Sequence, residues 1–218
     1  MSRSSARGTL TRARIVEAAV VFADRNGLEA TTMRRLGEAL GVTPMALYKH
    51  VAGREQLIDD MVDHIVSQIP AAAAQGWKNA VRTRILTARG ALRSHAWAQD
   101  AIESRTMASP VVLGYMDALM AAMFAGGLSA DLVHHGMHAL STRMWGFTRD
   151  VMPTPAMPAD PAERQAMLAA AAVAFPSIVR MAAAHADAAC DDDAEFAFAL
   201  DLLLDGIERR HREGWVSR

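Results

Sequence analysis

Cysteine is nearly missing from this 218-residue chain, with Cys190 standing alone. A single thiol excludes an internal disulfide and any multi-cysteine metal site, and it suits a reducing compartment, so a cytoplasmic location is expected. Aromatic residues make up only 6% of the chain. Hydrophobic residues reach 51%, yet no apolar run approaches the roughly 18 to 20 residues that a bilayer span needs, and no membrane partner is expected. The opening MSRSSARGTLTRAR is basic and has no apolar centre, so it reads as an arm and not as a secretory leader. Strand-like alternation is absent, and so is any repeat of fixed period. A nucleophile elbow, a phosphate-cradling glycine loop and a paired-carboxylate arrangement are all missing too. No cofactor is expected.

The net charge of −1 becomes informative only when divided along the chain. Residues 1–54 carry nine Arg/Lys against four Asp/Glu, which leaves 14 basic and 20 acidic residues for the remainder. A basic head on an acidic body suits a partner rich in phosphate at one end only. The head holds the most organised stretch, TTMRRLGEALGVTPMALYKHVAGREQL from Thr31 to Leu57. Thr31 and Thr32 can offer a hydroxyl to a helix start, and Met33, Leu36 and Leu40 follow helical spacing, with Ala39 small enough for a close crossing. Gly41 can take the left-handed backbone that ends a helix. Thr43 then caps a second helix with Pro44 at its first position, where a missing N–H costs nothing. Helix, glycine turn and capped helix make the layout of a helix-turn-helix.

The side chains of the second helix point the same way. Leu47 and Val51 stand at i and i+4 and can pack inward, leaving Thr43, Met45, Ala46, Tyr48, Lys49 and His50 outward. A helix that enters a major groove needs small or apolar groups to meet thymine methyls, here Met45 and Ala46. It also needs donors for phosphates and base edges, here Thr43, Tyr48, Lys49 and His50. Arg34, Arg35 and Arg54 flank that surface as expected phosphate clamps.

From about Thr11 to Ile58 the sequence resembles the TetR family of one-component transcriptional repressors, through FADRNG, TTMRRLGEALGVTPMALYKHV and GREQLI. By position, the resemblance implies DNA contacts at Thr32, Arg34, Thr43, Pro44, Met45, Ala46, Tyr48, Lys49, His50 and Arg54. The stretches GWKNAVRTRILTARGALRSHAW and LSADLVHHGMHALSTRMWGFTRD are similar, more weakly, to the body of the tetracycline-repressor subgroup. In that subgroup a histidine on a short body helix helps to hold a magnesium chelate of the drug. The matching stretch here, AQDAIESRTM, has no histidine, and His95 lies several residues too early, which argues against tetracycline as inducer.

The rest of the chain reads as helix. Leu10 to Asn26 is amphipathic, with Ile15, Ala18, Ala19 and Phe22 inward and Gly27 as its stop. A lever helix follows Gly53 and ends before Pro70. Helices are then expected over Trp77 to Ser94, Ala98 to Arg105, Val111 to Phe124 and Ser129 to Asp150. A proline-rich loop runs from Met152 to Glu163. Beyond it lie a helix from Arg164 to Ala186, broken or kinked at Pro176, and a last helix over Asp193 to Arg212. That last helix would bury Phe196, Leu200, Leu203, Leu204 and Ile207. The expected fold is all-α: a three-helix helix-turn-helix DNA-binding head over residues 1–53, with an arm at 1–9, and a helical ligand-binding and dimerisation body over 54–218.

One short reading helix grips weakly alone, so a homodimer is expected. It would pair the helices over 129–150 and 193–212 in a four-helix bundle across a two-fold axis. The body is also rich in pliable apolar side chains, and a small, mostly apolar inducer is expected at Met107, Met116, Met120, His134, His138, Trp145 and Met181. Singly each methionine could be core filling. Asp131, His134 and His138 have the spacing of a divalent-metal site but serve equally as hydrogen-bonding groups, and no metal is expected. The leading reading is a homodimeric repressor that leaves a pseudo-palindromic operator when inducer binds. A small α-helical metal-dependent enzyme built on Asp131/His134/His138 is the alternative. A ligand-free structural DNA binder would not need a body of some 150 residues.

Overall fold

The structure, a computed structural model, describes residues 9–71, 74–105, 107–147, 157–183 and 191–217. Among the described residues there are eleven α-helices, one 3-10 turn and no strand, as the all-α expectation requires. Cys190, nearly all of the expected arm, the last three residues of the expected 129–150 helix and the first part of the proline-rich loop lie outside the described residues. Packing divides the chain into two units: residues 1–147 together with 199–218, and residues 148–198. The expected boundary after residue 53 runs through the first of these.

The head comprises α1 (Arg12–Asn26), α2 (Met33–Leu40) and α3 (Pro44–Tyr48), with α4 (Arg54–Ser67) leading away. The Thr11 hydroxyl accepts from the Arg14 N–H and starts α1, which buries Ile15, Val16, Ala19, Val20 and Ala23. Ala18 and Phe22, expected inward, are only half-buried, so the inward stripe is rotated by part of a turn. Thr32 caps α2 by accepting from the Arg35 N–H, and Gly41 ends it in the left-handed region at φ 67° and ψ 33°. The close approach expected at Ala39 belongs to Gly37 instead. Ala39 is exposed, whereas a Cβ on Gly37 would stand 3.0 Å from the Val42 carbonyl oxygen. α4 buries Leu57, Met61, Val62, Ile65 and Val66 and packs on α1. Arg12 adds a bidentate pair to Asp60, at 2.7 and 2.6 Å.

The remainder of the first unit is built on α5 (Trp77–Leu92), α6 (Ala98–Glu103), α7 (Pro110–Ala125), α8 (Ala130–Leu140) and the later part of α11 (Asp192–Arg212). Ser109 and Ser129 cap α7 and α8 by accepting from the Val112 and Leu132 N–H groups, each at 3.2 Å. α7 packs on α5, and Val81, Ile85, Ala88 and Leu92 of α5 face inward. Arg82 meets Asp201 of α11 at 2.6 Å, and Lys78 meets Asp205 and Glu208. Leu200, Leu204 and Ile207 are buried along α11, while Leu203, expected to join them, stays half-buried.

The single long helix expected from Ser129 to Asp150 does not form. α8 stops at Leu140, Ser141 takes a positive φ of 42°, and a 3-10 turn runs from Ser141 to Trp145. The cause lies on α5, where the buried Arg89 donates through Nη1 to the Gly146 carbonyl at 2.7 Å. The Tyr115 hydroxyl donates to the Met144 carbonyl from the α7 side. Two long-range donors thus claim carbonyls that a continuing helix would have used internally.

The second unit contains α9 (Pro161–Ala174) and α10 (Pro176–Ala183). The Asp160 carboxylate starts α9 by accepting from the Ala162 N–H, three residues earlier than the sequence pattern suggests. Pro176 separates the two helices, as its missing N–H requires. The Asp191 carboxylate accepts from the N–H groups of Asp193 and Ala194 and so begins α11.

Gly146 combines a φ of 81° with a backbone so close to α5 that a Cβ would fall 2.4 Å from the Arg89 Cα. Gly146→Ala is expected to destabilise the protein by about 3 kcal/mol, through left-handed strain plus overpacking, in a urea unfolding experiment. A loss below ~1 kcal/mol would show that the turn is not wedged against α5.

Candidate functional site

Five residues cannot hold a helix by themselves, so α3 depends on Leu47, which is fully buried, and on Val51 just beyond it. With that side fixed, the other side is set. Met45 is 70% exposed and Tyr48 46%, Thr43 and Lys49 are exposed, and Pro44, Ala46 and His50 are half-buried. Thr43 has the extended backbone of a cap but makes no side-chain capping bond, contrary to expectation. Pro44 starts the helix with its fixed φ, and the Thr43 side chain stays exposed. Arg34 and Arg35 are exposed at the start of α2, and Arg34 makes only a loose 3.6 Å pair with Glu38.

Two of the expected contact residues have internal duties. Thr32 uses its hydroxyl on the Arg35 N–H. Arg54 donates through Nε to the Thr31 carbonyl at 3.1 Å and through Nη2 to the Leu28 carbonyl at 2.9 Å. Arg54 therefore ties the α1–α2 connection to the start of α4, a role that its expected use as a phosphate clamp had not suggested.

The first unit also shows how its later helices grip the head. The Asp24 carboxylate at the end of α1 accepts from Trp97 Nε1 at 2.7 Å and lies 2.8 Å from His95 Nδ1. Arg105, just after α6, lies 3.0 Å from Asp59 and 3.6 Å from Asp63 on α4. The Ser109 hydroxyl donates to Asp63 as well. Sequence spacing could not reveal these contacts, because the partners lie 46 or more residues apart.

The residues expected at an inducer do not share one environment. Trp145 is buried, Met116 and Met120 are half-buried on α7, and Met107 is 80% exposed. Met181 is exposed and belongs to the second unit. His134 and His138 are exposed on α8, in edge-on contact at 4.6 Å. Around Trp145 the structure places residues that spacing alone did not single out. Tyr115 stacks on Trp145 at 4.5 Å and 21°, and the Arg84 guanidinium lies 4.8 Å from the centre of the Tyr115 ring. Burial pushes the Tyr115 phenol well above its ordinary pKa, and Arg84 opposes this only weakly. A mostly neutral phenol held by Met144 is a packing element, not a proton donor in transit.

Asp131, His134 and His138 do not converge either. Asp131 accepts from the Ser217 N–H and from its hydroxyl at 2.8 Å, and its nearest ring partner is His135 at 3.6 Å. Among the described residues no group of three or more His, Cys, Asp or Glu could hold a metal ion. His135 and Trp215 meet edge-on at 5.2 Å. They help to line an open apolar groove of about 310 Å³ between α8 and α11, with Leu132, Gly136, Ala139, Leu202 and Ile207. No helix among the described residues is long and apolar enough to cross a membrane.

Arg54→Ala leaves two backbone carbonyls without their donor and is expected to cost about 1–3 kcal/mol of stability in chemical denaturation, besides any effect on DNA. Unchanged stability would return Arg54 to a purely phosphate-facing role. The Asp131 pKa is lowered first by the Ser217 N–H and then by the Ser217 hydroxyl. A depressed carboxylate pKa adds stability above its unfolded value, and that stability is lost as pH falls through the folded value. The Ser217 contact should therefore persist at neutral pH and release only in acid, below the ordinary carboxylate range, read by amide exchange at Ser217; Asp131→Asn, which cannot ionise, should remove that pH dependence.

Comparison with known proteins agrees with this geometry. Residues 15–61 match the family of bacterial regulatory proteins described as the tetR family, and residues 69–211 match the tetracyclin repressor-like C-terminal domain. DrrR1, an HTH-type transcriptional repressor of Streptomyces coeruleorubidus, is 35% identical over 124 residues, which are 56% of this chain and 46% of that protein. The chain spans about half the length of the curated relatives it matches. A possible TetR family transcriptional regulator from Streptomyces coelicolor A3(2) superposes with a TM-score of 0.70 at 26% identity, covering 91% of this chain and 98% of that one. Streptomyces coelicolor ActR, solved in complex with (S)-DNPA, shares the fold with a TM-score of 0.71 at 24% identity, covering 94% and 100%. These similarities are to transcriptional regulators, not to enzymes, so the reading of Asp131/His134/His138 as a catalytic metal site has no support. A matching head over residues 15–61 and a matching helical body over residues 69–211 place this chain in the TetR family, whose members are ligand-responsive, DNA-binding regulators.

Proposed function

We propose that the protein represses transcription as a homodimer, holding a pseudo-palindromic operator and releasing it when a small, mostly apolar inducer enters the body. The observation that carries this reading is the exposed side of α3. Thr43, Met45, Tyr48 and Lys49 share one open surface while Leu47 locks the opposite side. Met45 and Ala46 would meet thymine methyls. Thr43, Tyr48, Lys49 and His50 would meet base edges or phosphates, with Arg34 and Arg35 on the flanking backbone.

The groove between α8 and α11 supports the dimer. Leu202 stands 57% exposed on its rim, next to Leu132, Ala139 and Ile207, and a two-fold axis there would bury this face against itself. The pairing uses α8 only to Leu140, a shorter helix than the one over 129–150. Two reading helices fixed about 34–36 Å apart would then enter successive major grooves.

Release needs a path from body to head, and α6 with Arg105 offers one. An inducer that favours a different position of α6 would pull on Asp59 and Asp63 of α4, and Arg12 and Arg54 would pass that shift to the head. The inducer acts by binding one arrangement of these helices better than the other. That ActR, a protein of the same fold, is described with a small molecule bound supports an inducer for this chain as well.

Tyr48→Ala combined with Lys49→Ala is expected to weaken binding to a selected operator duplex by at least ~100-fold at fixed salt, measured by fluorescence anisotropy. Undiminished binding would rule out α3 as the reading helix. Leu202→Arg should yield a monomer in light scattering and lower operator affinity with it. A dimer that survives this change uses another face.

A further inference from the structure

The stretch around α6 grips the head at two separate places. After α6, Arg105 stands 3.0 Å from Asp59 and 3.6 Å from Asp63 on α4, and the Ser109 hydroxyl donates to Asp63. These two acids flank Asp60, which Arg12 holds from the start of α1. Before α6, the Asp24 carboxylate near the end of α1 accepts from Trp97 Nε1 at 2.7 Å and lies 2.8 Å from His95 Nδ1. Trp97 is 5% exposed, and its one N–H goes to a charged acceptor, which makes for a strong bond. Twelve residues of helix separate Arg12 from Asp24, which is about 18 Å at the rise of an α-helix. A head held at α4 alone could swing about that grip. At that distance a swing of about 10° carries Asp24 by about 3 Å, which takes its carboxylate out of hydrogen-bond reach of Trp97.

We propose that the contact of Asp24 with Trp97 and His95 sets the half-site spacing that the dimer accepts. Asp24 and Trp97 are then positioning residues that select among operators without touching DNA. This rests on the reading of the protein as a homodimer on two half-sites. In such a dimer the distance between the two copies of α3 depends on how each head is oriented on its body. One base pair more or less between the half-sites shifts them by about 3.4 Å and turns them by about 34°. A head fixed at two points does not follow that change, so a wrong spacing loses contacts in one half-site. A head released at Asp24 follows part of it, and the wrong spacing is better tolerated. A loss of folded protein lowers affinity for every duplex alike, so the ratio of affinities isolates the positioning role.

The test measures fluorescence anisotropy at fixed salt on the full-length protein. Its probes are an operator duplex selected in vitro and two copies, one base pair longer and one shorter at the centre. Wild-type protein should prefer the selected spacing by at least ~10-fold. Trp97→Phe removes the N–H donor and keeps a ring in place, and Asp24→Ala removes the acceptor. Each should shrink that preference by at least ~3-fold. A preference that stays at the wild-type value in both variants, with native helical content, overturns the assignment and leaves the dimer reading standing. Equal binding of wild-type protein to all three duplexes overturns both. If Asp24→Ala does not fold, Trp97→Phe decides the comparison by itself.

Discussion

A five-residue helix has no stability of its own, and the outward surface of α3 rests on how Leu47 is held. Its burial, with Leu36 and Val51, fixes both the position and the rotation of α3. Rotation matters more than position, since about 100° separates one side chain from the next along a helix. Thr43, Met45, Tyr48 and Lys49 can share one outward surface only because Leu47 cannot turn away from the core. Gly37 contributes the closeness. With Val42's carbonyl 3.0 Å from where a Cβ would stand, α2 and the turn before α3 approach so closely that a larger residue would push the turn away by a few tenths of an ångström.

The second constraint is electrostatic and lies at the joint between head and body. α4 is held by Arg12 from α1, by its own Arg54 to the connection before α2, and by Arg105 from the α6 side. A lever fixed at several points moves only when the arrangement of all of them changes, which is the behaviour expected of a two-state device. The Asp24 carboxylate gives a separate attachment, through Trp97 and His95, at the other end of α1. These charge pairs add to the apolar packing of α4, whose Leu57, Met61, Val62, Ile65 and Val66 are buried.

Much of this was legible in the sequence, and the legible part is the local part. The hydroxyl cap at Thr32 is decided within three residues and forms, whereas the one expected at Thr43 does not. Gly41 and Pro176 act as backbone chemistry says they must. What escaped the sequence is long-range. α8 stops at Leu140 because Arg89 and Tyr115, which lie 57 and 29 residues from their partners, claim carbonyls of the following turn. Arg54 looked like a phosphate clamp because its type and place fit one, and only its 23-residue reach back to Thr31 reveals the staple. The set expected around the inducer was drawn from composition, which cannot tell Met107, 80% exposed, from Met116, half-buried on α7.

The charge pairs on α4 are each open to solvent on one side. Arg12 is 51% exposed against Asp60 at 17%, and Arg105 is 10% exposed against Asp59 at 52%. Dissolved ions reach both attachments, so rising salt weakens the hold on α4 from the α1 side and from the α6 side together. The slope of operator affinity against salt therefore contains two contributions: counterions released from DNA, and a head that becomes less firmly oriented. Counting phosphate contacts from that slope alone would give too many for this protein.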